Sequence, residues 1–308
     1  MDMLKFIAKR LLYLVVMLLG VATLVFILTK MIPGNPVTAH LSQRALNDPE
    51  VVAAFTAKHG LDQPYIVQYF YHIRNLLQLD LGTSIRTNTP VLEELLRAFP
   101  ATIELALFAI VMAAVFGIFF GIISAIKRNS IVDQIVRAIS VTGVSIPSFW
   151  FALLVMFLLY YKLGWFPGPG RLSIAFSAPA HVTGMYVIDS LLEGSLPKAW
   201  DAFMHLVLPG SVLAAFTMGL ITRHALGNAL IPVLTVIGLG LGNLLGGMVL
   251  VETIFNWPGV GQFAYQSVMS NDYPAIIGVS LLVALNYMVI NTIVDILYGV
   301  IDPRVRCS

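Results

Sequence analysis

The stretch HALGNALIPVLTVIGLGLGNLLGGMVLVETIFNWPGVG, from His224 to Gly261, decides how the chain is read. Its first part, Ala225 to Val251, carries no charge. That run of roughly 27 positions exceeds the about 20 apolar residues a helix needs to cross a bilayer core. Glycine recurs inside it at Gly238, Gly240, Gly242, Gly246 and Gly247. In water such a density would weaken a helix, but in lipid it lets another helix backbone approach closely. The stretch therefore reads as a membrane helix packed against protein. It leads directly into Glu252 and a Trp257-Pro258-Gly259 turn at the interface.

The rest of the chain agrees. Hydrophobic residues make up 58% and charged residues 11%, against about a quarter charged in a soluble domain. This composition reads as an all-α, polytopic membrane protein. A net charge of +2 supplies no basic stripe for nucleic acid. The single cysteine, Cys307, has no partner for an internal disulfide. It is also too close to the end for a prenylation signal. The apolar run after MDMLKFIAKR is too long for a signal peptide and reads as a retained first span.

Six spans are expected. The first covers residues 11–32, behind Lys5, Lys9 and Arg10, which place the N-terminus in the cytoplasm. Residues 33–99 form a mostly helical extracytoplasmic region, with one helix expected from Tyr65 to Leu79. A core of residues 100–308 carries the other spans: 100–126, 135–161, 206–222, 225–251 and 275–298. Residues 162–205 form a second extracytoplasmic segment, and both termini fall inside. Ser145-Ile146-Pro147-Ser148 is expected to kink span three and free carbonyls there. Gly117 and Gly121 form a small-xxx-small pair for helix contact.

Polar residues within or beside spans are the candidates for function. Ser145, Ser148, Asn243, Asn286 and Asn291 suit either a pathway wall or hydrogen bonds between helices. Glu252, Trp257 and Gly259 are candidates at the outer turn, and Pro147 is a candidate for irregular backbone lining a cavity. Glu104 reads as a carboxylate snorkelling near a helix N-terminus, and Asp295 as an interface anchor. The histidines, His205 among them, read as surface groups. No phosphate loop, HExxH or GxSxG occurs. An intramembrane enzyme would have only Glu104 and Asp295 to work with, far apart in sequence.

Several long segments, in one order, identify the chain as a member of a family. FIAKRLLYLVVMLLGVATLVFILTKMIPGNPV, GVSIPSFWFALLVMFLLYYKLGWFPGPGR, the His224–Gly261 stretch and DYPAIIGVSLLVALNYMVINTIVDILYGVIDPRVR resemble the first membrane subunit of the dipeptide, oligopeptide and nickel class of bacterial ABC importers. The resemblance implies the six-helix importer permease fold in the inner membrane. It implies a second homologous permease subunit, two cytoplasmic ATPases and an extracytoplasmic binding protein as partners. ATP would be used by the ATPases, and this chain would bind no cofactor or metal. Gly82 to Leu96 and His181 to Gly194 look most like members that import short peptides, including D-amino-acid dipeptides.

One departure stands out. The family carries a cytoplasmic loop of two short helices after span four, which docks on the ATPase. Here TMGLITR, ending at Arg223, joins HALGNALIP, starting at His224, directly. Helix–helix connections normally take about 2–8 residues. The turn is therefore expected at Arg223-His224 or through unwinding of a helix end. Arg223, His224 and Asn228 are what is left of the coupling site. A natural internal deletion, an engineered one, and loss of the loop residues from the sequence alone all fit. The chain thus reads as an importer permease or as an assembly-competent, uncoupled one.

Overall fold

A computed structural model describes residues 3–31, 47–58, 62–225 and 248–301. Among them the secondary structure is helical, with a single isolated bridge between Thr83 and Pro90. The helices are α1 (Met3–Met31), α2 (Pro49–Lys58), α3 (Tyr65–Leu77), α4 (Val91–Ile126), α5 (Ile131–Ser145), α6 (Ser148–Val155), α7 (Tyr186–Leu192) and α8 (Leu196–Ala225). They continue with α9 (248–254), α10 (Val260–Met269) and α11 (Tyr273–Ile301). The chain divides into two compact units: Met1–Leu95 with Gln266–Leu285, and Leu96–Tyr265 with Asn286–Ser308.

Four described stretches are long and apolar enough to cross a membrane: Ala8–Leu28, Val91–Ile126, Leu196–Thr222 and Tyr273–Val294. They fall on the expected spans one, two, four and six. Two of them start earlier than the sequence suggested, because Pro100 and Pro209 sit inside continuous helices rather than at their heads. Span three is not a kinked rod. Helix α5 and the segment Ser148–Lys162 are bent by 111°. Ile146 is held extended (φ −78°, ψ 130°), as a residue before proline prefers. Pro147 then opens α6, which continues as a π-helical turn from Met156 to Lys162. Most of span five, 226–247, lies outside the described residues.

In the first unit, α3 packs on α1. Thr23 and Tyr69 share a hydrogen bond of 2.8 Å between their hydroxyls, and the rings of Phe26 and Tyr69 meet edge to face. Asp272 is fully buried and ties two segments together. It accepts from Ser84 Oγ at 2.5 Å and from the Arg86 N–H at 3.3 Å. It also accepts from the Ala275 N–H at the start of α11, where an acid complements the helix dipole.

In the second unit, α4, α5 and α8 approach through glycine. A methyl on Gly117 of α4 would lie 2.9 Å from Ile221 of α8, and Thr222 donates to the Gly117 carbonyl at 3.3 Å. A methyl on Gly143 would lie 2.9 Å from the Ala215 carbonyl oxygen, and one on Gly219 only 2.6 Å from that of Ser140. Gly117 of the expected glycine pair is therefore a helix contact. The turn into α5 is fixed by Asp133, whose buried carboxylate accepts from Ser124 Oγ, the Asn129 N–H and both Nε and Nη2 of Arg137.

Gly219→Val forces a side chain against a backbone carbonyl. It should destabilise the protein by about 1–3 kcal/mol, read as a lower thermal midpoint in detergent. Gly20→Ala has nothing within 4 Å of the new methyl and should leave the midpoint unchanged or slightly raised.

Candidate functional site

The Trp-Pro-Gly turn is built by a helix ending. Helix α9 stops because Asn256 takes the left-handed conformation (φ 48°), which asparagine tolerates better than most side chains. The Asn256 N–H then reaches the Thr253 carbonyl, and the Trp257 N–H reaches that of Glu252 at 2.7 Å. These are the two bonds of a Schellman ending. Pro258 follows, and α10 starts at Val260.

Glu252 lies inside that reversal and is fully buried. Its Oε1 accepts from Thr102 Oγ1 at 2.7 Å, and its Oε2 from the Gln262 N–H at 3.0 Å. Thr102 Oγ1 in turn accepts from the Val260 N–H at 2.8 Å. The carboxylate thus satisfies the free N–H groups at the start of α10, directly and through Thr102. Gly259 is required because a methyl there would overlap the Glu252 carboxylate. Gly261 is required because its methyl would lie 2.7 Å from Val249 Cα. Trp257, 1% exposed, donates from Nε1 to the Ala101 carbonyl at 2.9 Å.

A second buried charge sits beside this turn. Arg171 Nη2 donates to Glu104 Oε2 at 2.5 Å and to the Gly184 carbonyl at 2.8 Å. Its guanidinium lies 3.6 Å from the Tyr186 ring centre and 5.5 Å from that of Trp257. Glu104 Oε1 also accepts from the Val187 N–H at 2.8 Å. Glu104 is therefore no snorkelling carboxylate; it is buried in an ion pair with Arg171 Nη2. The Gly170 N–H closes the arrangement on the Phe255 carbonyl at 2.8 Å. Segment 165–190, residues 101–104 of α4 and the turn at 252–262 are thereby pinned to one another.

Asp189 holds the loop before α7. It accepts from the N–H groups of Val182, Thr183 and Gly184 and from Thr183 Oγ1. Burial pushes its carboxyl up, but these hydrogen bonds outweigh burial and hold it below the ordinary carboxylate range. His205 was expected at the surface and is buried instead, with Nδ1 2.8 Å from the Asp201 carbonyl oxygen.

Of the residues singled out from sequence, Glu252, Trp257 and Gly259 come together in the second unit. All three are buried there, with their polar atoms turned inward. Ser145, Pro147 and Ser148 lie at the 111° bend, exposed or half-buried. Asn286 and Asn291 lie half-buried along α11. Arg223 and His224 belong to the last turn of α8, which continues to Ala225, so no turn is made at these two residues. Asn228 and Asn243 lie outside the described residues. Sequence reading missed Thr102, Arg171 and Asp189. It also missed Asp133, although Ser130-x-x-Asp133 is a helix-start pattern and Ser130 does cap α5.

The family described as "Binding-protein-dependent transport system inner membrane component" matches residues 117–306, and its N-terminal counterpart matches 3–106. The chain belongs to this family. It is a multi-pass inner-membrane protein and an importer permease subunit, a type without an ATPase site of its own. It is similar to the dipeptide transport system permease protein DppB of Alkalihalophilus pseudofirmus, with 39% identity over 335 residues, covering 99% of this chain and 100% of the relative. It is 41% identical over 323 residues to the probable D,D-dipeptide permease DdpB of Escherichia coli, covering 95% and 94%. The glutathione permease GsiC of Salmonella choleraesuis is 36% identical over 315 residues, covering 99% of each.

Arg171→Met leaves Glu104 buried and unpaired. It should destabilise the permease by about 3–5 kcal/mol. The Glu104→Gln, Arg171→Met double variant should lose less than the sum of the single variants in a thermal unfolding cycle. Because the folded carboxyl of Asp189 is depressed, its contribution is complete above its unfolded value of about 3.9 and fades as pH falls below that. Asp189→Asn should therefore lower stability by about 2 kcal/mol at neutral pH and flatten the acid limb of a stability-versus-pH profile.

Proposed function

We propose that the chain is one of two membrane subunits of an ATP-driven importer of short peptides. It would form the translocation pathway with a second, homologous permease. Two cytoplasmic ATPases would supply the energy and an extracytoplasmic binding protein the substrate. The observation that carries this reading is end-to-end similarity to relatives named for dipeptide and D,D-dipeptide transport. The glutathione relative, itself named for a short peptide, fits the same substrate class. The basic residues at 5–10, 127–137 and 304–306 support cytoplasmic termini. In this reading the pinned turn at Glu252 and Arg171 is a rigid outer frame. The bend at Pro147 and the asparagines of α11 are the candidates for the moving pathway wall.

A second reading is favoured by one specific feature. Helix α8 runs on through Arg223 and His224, where the resemblance calls for a coupling loop. The alignment with the Alkalihalophilus relative spans 335 residues, more than the 308 of this chain, while covering all of that relative. The relative thus has internal residues without a counterpart here. Their absence would leave a permease that assembles but does not couple to ATP.

Uptake of a labelled dipeptide into vesicles, with partner subunits and binding protein supplied, separates the two. ATP-dependent uptake by the chain as it stands is the expected result for a coupled importer. Uptake that appears only when a relative's loop is inserted between Arg223 and His224 establishes the uncoupled form. No uptake of any short peptide in either form rejects the peptide assignment.

A further inference from the structure

Helix α3 has three faces, and they differ in chemistry. The first face packs on α1. Lys30 of α1 meets Gln68 through a hydrogen bond and lies 5.8 Å from the Tyr65 ring centre. Further along, Tyr69 and His72 meet Phe26, and Tyr69 meets Thr23. As α3 proceeds from Tyr65 to His72, its partners on α1 step back from Lys30 toward Thr23. Helix α3 therefore folds back over the final turns of α1 and reaches the level of the span Ala8–Leu28.

The second face is apolar and largely uncovered, with Ile73 half-buried at its edge. Ile66, Phe70, Ile73 and Leu77 recur at alternating spacings of four and three, which places them in one stripe. Ile66 is 67%, Phe70 65% and Leu77 80% exposed. The third face carries Arg74, Asn75 and Gln78, all exposed, with Tyr71 beside them. A narrow apolar stripe flanked by polar residues is the pattern of a helix lying at a membrane boundary.

Two further observations point to lipid as what covers the stripe. On α1, at the level where α3 leans, Leu24, Ile27 and Leu28 are each more than half exposed. In an inner-membrane permease such residues of a span face acyl chains, and the stripe of α3 extends that surface. Helix α3 also ends on Leu79 in the left-handed conformation (φ 58°), closed by hydrogen bonds from Leu79 to Leu76 and from Asp80 to Asn75. Glycine or asparagine is the unstrained residue there. An exposed leucine returns nothing for that strain in water, whereas in lipid its side chain is stabilised by transfer.

We propose that α3 is a membrane-embedded amphipathic helix, with Ile66, Phe70, Ile73 and Leu77 inserted among acyl chains beside the C-terminal end of α1. Arg74 reaches back to the headgroups along its own stem. The region between spans one and two is thus anchored in the bilayer rather than held free above it. The inference rests on membership of the membrane family and not on the peptide assignment.

The test uses the assembled permease complex in nanodiscs, with Cys307→Ser and single cysteines at positions 70, 77, 74 and 78 carrying an environment-sensitive fluorophore. Phosphatidylcholine with an acyl-chain nitroxide should quench the probes at 70 and 77 several-fold more than those at 74 and 78. Aqueous iodide should give the reverse order, and the emission of the first pair should be blue-shifted. Equal iodide quenching at all four positions would overturn the proposal by placing the helix in water. Shielding of positions 70 and 77 from both quenchers would overturn it by placing the stripe against a protein partner. All four sites are exposed, so folding should survive each replacement, and retained assembly with the second permease is the control.

Discussion

The architecture of the second unit depends on one demand: a fully buried carboxylate at position 252 must find donors. A charged or polar group without partners in a dry interior costs several kcal/mol. Glu252 finds them at the start of α10, whose first N–H groups have no helical partner of their own. The two deficits cancel, and the chain between them is forced into a tight reversal. Gly259 and Gly261 follow from that closeness, since a methyl at either position would overlap its neighbours. Thr102 follows as well, because its hydroxyl both donates to the carboxylate and accepts from Val260.

The Arg171–Glu104 pair extends the same logic to the segment before α7. A buried ion pair repays its desolvation only with good geometry and further hydrogen bonds. Here Glu104 has a second donor in Val187, and Arg171 a second acceptor in Gly184 and two aromatic faces. The polar groups at this end of the unit hold one another across distant parts of the sequence, while Arg171 Nε is buried without a hydrogen-bond partner. The bend at Pro147 is the contrast. Ser145 and Pro147 are exposed there, and the helix is interrupted twice within a short distance, by the proline and by the π-helical turn. Irregular backbone of this sort is tolerated at membrane depth where it lines a cavity or is covered by protein.

The glycines show how differently one residue type serves the two environments. Gly117, Gly143 and Gly219 bring α4, α5 and α8 to backbone contact, where dispersion and close packing replace the hydrophobic effect that lipid does not provide. Gly259 instead makes room for a carboxylate, and Gly261 for the Val249 backbone. Spacing alone did not tell these uses apart. Nor did the pattern of charges reveal that Glu104 and His205 are buried, because burial depends on which partner the fold brings near.

What the sequence determined by itself was the local and the one-dimensional: helical spans, their approximate limits, the glycine contact at Gly117 and the helix at Tyr65. Backbone hydrogen bonds in lipid must be satisfied within the segment, so apolar length and helix are nearly the same statement. The family, too, was legible, because motif order is a property of the chain. The tertiary structure alone decided that Pro100 and Pro209 lie within helices, that span three is bent by 111° and not merely kinked, and that α8 continues through Arg223 and His224. It alone brought Thr102 to Glu252 and Arg171 to Glu104, 150 and 67 positions apart. Contacts between such remote residues are set by packing, and no local propensity in the chain encodes them.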